Sequence, residues 1–134
     1  MNTRALESFL ESLSDVVLGL DSSSVEDCLA DGLVVRHPLF AEPIEGKKNV
    51  LQILSHVLTR ADQYEVVDVL SSESHFAVLH RFVFGEEEVD GVDYIHLNEA
   101  GLVDALTVTW RPLTAALALQ AQVGPVLAAP SKLS

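Results

Sequence analysis

Three side chains combine a residue type and a setting that could move protons. Asp93 is a carboxylate among Val92, Ile95 and Leu97, where a strand ordinarily carries aliphatics. A carboxylate in apolar surroundings needs a partner or stays protonated, and either state serves acid–base chemistry. His37 stands directly before Pro38, and imidazole titrates near neutral pH, where a general base works best. His80 lies in the alternating run HFAVLHRFVF, 75–84. If the turn at 85–88 closes symmetrically, His80 faces Asp93 across two strands, Phe82 faces Gly91 and Val78 faces Ile95.

The face these residues share would carry Phe76, Val78, His80, Phe82 and Phe84 on one strand, with Val89, Gly91, Asp93, Ile95 and Leu97 on the next. One acid and one imidazole in an aromatic, aliphatic surface is the composition of a small-molecule pocket. The expected lining is Phe76, Val78, Phe82, Phe84 and Ile95, with Phe40 and Trp110. Trp110 belongs to a strand whose register is open. A glycine bulge at Gly101 would exchange Leu106, Val108 and Trp110 for Thr107 and Thr109.

Other chemistries find less support. The histidines show no H-x-H or H-x-x-x-H spacing and Cys28 is the only cysteine, so no metal site is predicted. Gly46-Lys47-Lys48 lacks the second glycine of a phosphate loop and reads as a solvated helix start. Eight basic residues against twenty acidic ones give a formal charge of −12, which repels phosphate backbones and anionic membranes, so nucleic-acid and membrane partners are not expected. No apolar run reaches the roughly 20 residues of a membrane span, and Glu7 and Glu11 interrupt the opening segment as a signal peptide would not be interrupted. The expectation is a cytoplasmic protein.

The elements that must position the site follow from periodicity. Leu6, Phe9, Leu10, Leu13, Val16, Val17 and Leu20 recur at helical spacing and predict an opening helix with one apolar face. Asp21 to Ser24 reads as a break, with Ser24 as N-cap of a short helix through Val25, Cys28 and Leu29 that ends at Asp31-Gly32. Leu33 to Arg36 is a short strand stopped by Pro38. A connection over 39–46 leads to a helix from Lys47 to Arg60, striped by Val50, Leu51, Ile53, Leu54, Val57 and Leu58, with His56 off the stripe. From Gln63 the period becomes two, predicting an antiparallel meander of strands near 63–71, 75–84, 89–97 and 102–110. A last helix spans Leu113 to Val123, with Pro112 just inside its start and Gly124-Pro125 ending it. The outer face of the meander, with Leu79, Val92 and Tyr94, is too apolar for water alone, which predicts a homodimer.

This order, together with VVRHPLFAEPIEGKKNV (34–50) and GVDYIHLNEAGLVDALTV (91–108) followed by Arg111-Pro112, resembles the NTF2-like superfamily, in particular its SnoaL-like and ketosteroid-isomerase-like members. The resemblance implies an α+β cone, helices packed into a strongly curved antiparallel sheet in the manner of a cystatin-like α+β barrel. It covers roughly residues 5 to 124, and length and composition predict one domain over 1–124 with a loose tail over 125–134. It places His37 where the steroid isomerases have their aspartate base, Asp93 on their protonated oxyanion-hole aspartate, and Leu13 on or near their oxyanion-hole tyrosine. The match does not extend to epoxide hydrolases, whose pocket arginine and further aspartate fall on Gly91 and near Val108.

The functional expectation is an enzyme that binds a small hydrophobic carbonyl compound and transfers protons on it, with His37 as base, Asp93 as acid or oxyanion donor and His80 orienting Asp93. Such a reaction needs no cofactor. The alternative is a binding or dimerisation module that uses the same cavity without chemistry.

Overall fold

The computed structural model describes residues 3–17 and 23–127. Helices α1 (Thr3–Val17) and α2 (Ser23–Asp27) precede β1 (Leu29–Arg36) and β2 (Ile44–Glu45). Helix α3 (Lys47–Leu58) is followed by β3 (Asp62–Ser72), β4 (His75–Phe84), β5 (Glu87–Leu97), β6 (Val103–Arg111) and α4 (Leu113–Leu127). The six strands form one curved, mixed sheet in the order β2-β1-β6-β5-β4-β3.

The meander from β3 to β6 forms as its period-two pattern predicts, and the sheet gains two strands from earlier in the chain. β1 lies parallel to β6, pairing Val34 with Ala105 and Arg36 with Thr107, and β2 adds to its other side through Val35 and Ile44. The purely antiparallel sheet is therefore corrected to a mixed one. A strand as short as Ile44–Glu45 leaves no periodicity to detect. The second helix ends at Asp27, Leu29 already belongs to β1, and Ser24 lies inside α2 instead of capping it. α3 stops at Leu58, with Thr59 and Arg60 in a turn. Pro112 sits before α4, its carbonyl accepting the Ala116 N–H at 3.4 Å, and the helix runs past Gly124-Pro125 to Leu127. Leu20, Asp21, Ser22 and the end of the expected tail lie outside the described residues.

The β4–β5 turn corrects the expected register. Two residues, Gly85 and Glu86, connect Phe84 to Glu87, and Gly85 takes φ of 60°, which glycine adopts without strain. The tighter turn slides the pairing by two positions, so Val78 faces Asp93, His80 faces Gly91 and Phe76 faces Ile95. A two-residue slide preserves which face each side chain occupies. At the β5–β6 connection Gly101 has φ of 83°, and the Asn98 side-chain oxygen accepts the N–H groups of Ala100 and Leu102, each at 3.0 Å. A bulge beside Leu97 turns Leu106, Val108 and Trp110 to the same side as Ile95, Asp93 and Gly91, their respective partners.

The helices fill the concave side. Leu6, Phe9, Leu13 and Val16 of α1, Val50, Ile53 and Val57 of α3, and Ala115, Leu119 and Val123 of α4 are buried against Phe76, Val78, Phe82, Ile95, Leu106 and Val108 of the sheet. The outer side is open: Val92 and Tyr94 are exposed, as is most of β3. No helix among the described residues is long and apolar enough to cross a membrane.

Phe9, fully buried in this roof, tests whether α1 closes the cone. Phe9→Ala should cost about 3–5 kcal/mol in urea unfolding, whereas a loss below about 1 kcal/mol would place α1 outside the core.

Candidate functional site

Two helices, four strands and one loop each deliver part of a single small cavity. Phe9 and Leu13 come from α1, Leu54 and Val57 from α3, Tyr64 from the start of β3, His80 and Phe82 from β4, and Asp93 from β5. Leu106, Val108 and Trp110 of β6 and His37 from the loop after β1 complete the wall. The space measures about 40 Å³, enough for an atom group of about one water's size. A mouth of about 310 Å³ lies beside it, between residues 36–43 and the end of β6, and His37, Val108 and Trp110 border both spaces. The His37 and Trp110 rings meet edge to face, centroids 4.8 Å apart.

Gly91 makes the crowding on the floor possible. It is flanked across the sheet by His80 and Trp110, and a Cβ there would lie 2.4 Å from His80 Nε2 and 2.8 Å from Trp110 Cδ1. Only glycine lets both rings lean over the strand beside Asp93.

The polar groups in the cavity are under-bonded. Asp93 is 6% exposed, its Oδ2 lies 3.5 Å from His80 Nδ1, and that contact is too long for a sound hydrogen bond. Asp93 Oδ1, His80 Nδ1 and Tyr64 Oη are all buried without a hydrogen-bond partner. Each such group costs about 1–3 kcal/mol, so three around one small space are a concentration of cost that the surrounding side chains do not offset. Tyr64 stacks on His80 at 5.4 Å between ring centroids.

Burial dominates the electrostatics. Desolvation pushes the Asp93 carboxyl up to about 7 and lowers both His37 and His80 to about 4. The Tyr64 phenol is driven above its usual range by burial and then by the nearby Asp93. His80 and Asp93 are thus both held toward their neutral forms. His37 has a bonded ring nitrogen: its Nδ1 accepts the backbone N–H of Leu39 at 3.3 Å, which leaves the proton of the neutral ring on Nε2.

The structure brings together the three expected polar residues, although His80 reaches Asp93 diagonally and not across a direct pair. Of the expected lining, Phe82 and Trp110 border the inner cavity and Phe40 the mouth. Phe76, Val78, Phe84 and Ile95 lie buried on the concave side but do not line the cavity. Tyr64 was not expected. It belongs to an edge strand with register shifts on both sides of Glu65 and Val66, so alternation does not report its direction. The legible signal was its type, a hydroxyl-bearing aromatic at the start of an aliphatic strand.

Structural comparison places this architecture among known proteins. A steroid delta-isomerase from Pseudomonas aeruginosa superposes with a TM-score of 0.79 at 24% identity, covering 91% of this chain and 90% of that one. An uncharacterized protein with a cystatin-like fold from Silicibacter pomeroyi gives 0.82 at 22%, covering 97% and 92%. The chain has the NTF2-like, ketosteroid-isomerase-like fold. An NTF2-like protein of unknown function from Cytophaga hutchinsonii shares this fold at 12% identity, with a TM-score of 0.69 over 86% of this chain and 94% of that one. No family model and no curated protein matches the sequence. At these identities the NTF2-like likeness concerns the backbone and does not extend to the side chains of the site.

The shifted groups set a pH dependence. Between 3.8 and about 7 the folded chain holds a proton on Asp93 that the unfolded chain has released, so this group lowers stability as pH rises through that window. Between 6.5 and about 4 the unfolded chain binds protons that buried His37 and His80 refuse, so these groups lower stability as pH falls. Asp93→Asn removes the first effect only. Thermal melts from pH 4 to 8.5 should show the variant gaining on the wild type as pH rises, by roughly 2–4 kcal/mol at pH 8. A difference independent of pH would mean that Asp93 does not titrate in this window.

Proposed function

We propose that the chain binds a small, uncharged hydrophobic molecule bearing a carbonyl-type oxygen and transfers protons on it, with Asp93 as the titrating group. The observation that carries this reading is the set of three partnerless buried polar atoms, on Asp93, His80 and Tyr64, around one apolar-walled space. Polar atoms left in such a setting lose stability in the free protein and are recovered when a ligand bonds them. A carboxyl held near neutrality exchanges protons in either direction at physiological pH, as an acid–base catalyst must. The name of the Pseudomonas neighbour, a steroid delta-isomerase, supports the same class of reaction.

The volumes constrain the ligand. The inner space of about 40 Å³ admits only the oxygen-bearing end, while the ring body fits the mouth of about 310 Å³. Uncharged cyclic ketones should therefore raise the melting temperature by mass action, and sugar phosphates should not. Stabilisation by phosphates alone would refute the proposed ligand class. Ketone binding that Asp93→Asn leaves intact, with no proton exchange catalysed by the wild type, would favour the non-catalytic binding module.

The assembly belongs to the same proposal. Val92 is 38% exposed and Tyr94 52% on the outer face, and a two-fold pairing of these faces would cover both copies of the patch. Light scattering at micromolar concentration should return twice the chain mass; a single chain mass would count against the dimer.

A further inference from the structure

We infer that His75 and His96 form a two-histidine chelate for a late first-row divalent metal ion, Zn²⁺, Ni²⁺ or Cu²⁺, on the outer face of the sheet, with Asp104 orienting His96. The two histidines are direct partners across the β4–β5 ladder, and their ring centroids lie 4.6 Å apart at an interplanar angle of 46°. Metal–nitrogen bonds of about 2.0–2.1 Å, with each ring centre about 1.1 Å further back, put the centres of two cis imidazoles roughly 4.5–5.2 Å apart. The observed separation falls inside that range, and the tilt keeps the rings from lying flat on each other. Spacing along the chain gives no sign of such a site, because the hairpin makes the pair and not adjacency in sequence.

Both rings are held in place. His96 Nδ1 lies 2.5 Å from Asp104 Oδ1 of β6, and a carboxylate accepts, so the neutral imidazole donates from Nδ1 and keeps its lone pair on Nε2. A carboxylate behind a histidine fixes the tautomer and raises the basicity of the nitrogen that binds a metal. His75 stacks on Tyr94, with 5.4 Å between ring centroids and 16° between planes. The side chains of His96 and Asp104 are 32% and 34% exposed, so an ion reaches them from solvent without opening the core.

Donor chemistry selects the ion. Imidazole suits zinc, nickel and copper, whereas Mg²⁺ and Ca²⁺ take oxygen ligands. Among the described residues no group of three or more histidine, cysteine or acidic side chains could hold a metal ion, so this site has two protein ligands and water fills its other positions. Those positions exchange, so the bound ion can take a carboxylate or an imidazole from another molecule. Strand alternation sets His75 and His96 on the side of the sheet opposite His80 and Asp93. The chelate is therefore independent of the proton-transfer reading.

Two measurements on the full chain decide this. Calorimetric titration with Zn²⁺, Cu²⁺ and Mg²⁺, each alone, is run at about pH 7.5, where the imidazoles are free of protons. A formal charge of −12 gathers cations without selecting among them, so the Mg²⁺ arm separates carboxylate binding from imidazole binding. One saturable Zn²⁺ per chain is expected, with Cu²⁺ tighter and no matching step for Mg²⁺. His75→Ala and His96→Ala should each abolish the step, Asp104→Asn should weaken it by about 10–100-fold, and His56→Ala on α3 should leave it unchanged. A Zn²⁺ step that survives when His75 and His96 are both alanine, or that Mg²⁺ reproduces, overturns the site. Long-range ¹H–¹⁵N correlation spectra of the wild type need no variant. Substoichiometric Zn²⁺ should move the ring nitrogens of His75 and His96 and leave those of His37, His56 and His80 in place; movement of another histidine first, or of none, overturns the assignment.

Discussion

The parallel pairing of β1 with β6 is the contact on which the rest of the molecule depends. It joins residues 29–36 to residues 103–107, so it links the beginning of the chain to the last strand of the meander. Without it, β3 to β6 would be a ribbon of hairpins with no means of bringing the His37 loop to Trp110. With it, the loop that leaves β1 lands at the end of β6, and one wall serves the inner cavity and the mouth together. α4 then returns from β6, and its Gln120 ties the Leu39 carbonyl. A hydrogen bond formed far along the sequence thus steadies the imidazole orientation.

Inside that frame the decisive term is desolvation. The same burial raises the carboxyl of Asp93 and lowers the imidazoles of His37 and His80, so the cavity prefers a set of neutral groups over an ion pair. This is consistent with the 3.5 Å separation of His80 Nδ1 and Asp93 Oδ2, since a charged pair would gain from closer approach. The groups remain under-bonded because the surrounding chains are Phe, Leu and Val, and because His80 and Trp110 crowd over Gly91. Asp93 Oδ1, His80 Nδ1 and Tyr64 Oη thus go without the bonds that would offset their burial.

The two faces of the sheet solve different problems. On the concave face Phe76, Val78, Phe82 and Ile95 are buried under three helices and supply a rigid floor. On the outer face charge is placed around the apolar residues: Asp90 receives Arg81 at 3.0 Å and Arg111 at 3.2 Å. These pairs are solvent-exposed and add little to stability, but they fix the border of the apolar area around Val92.

Much of this was readable from the residues. Period-two runs located β3 to β6, helical spacing located α1, α3 and α4, and parity alone put Asp93 and His80 on one face, a result that survived the two-position slide of the hairpin because side chains alternate strictly. The resemblance carried by residues 34–50 and 91–108 led to the fold. The sequence by itself determined that a carboxylate and imidazoles would share an apolar surface. Tertiary structure decided everything that depends on direction or closure: the tight turn at Gly85, the inward turn of Leu106, Val108 and Trp110 past the bulge, the arrival of Tyr64 from a twice-shifted edge strand, and the Leu39 N–H that chooses the His37 tautomer. Periodicity reports which side of an element a residue occupies, because that is a local property of the backbone. Loop geometry, bulges and hydrogen bonds between distant segments arise only when those segments meet, and these set what the residues of the cavity can do.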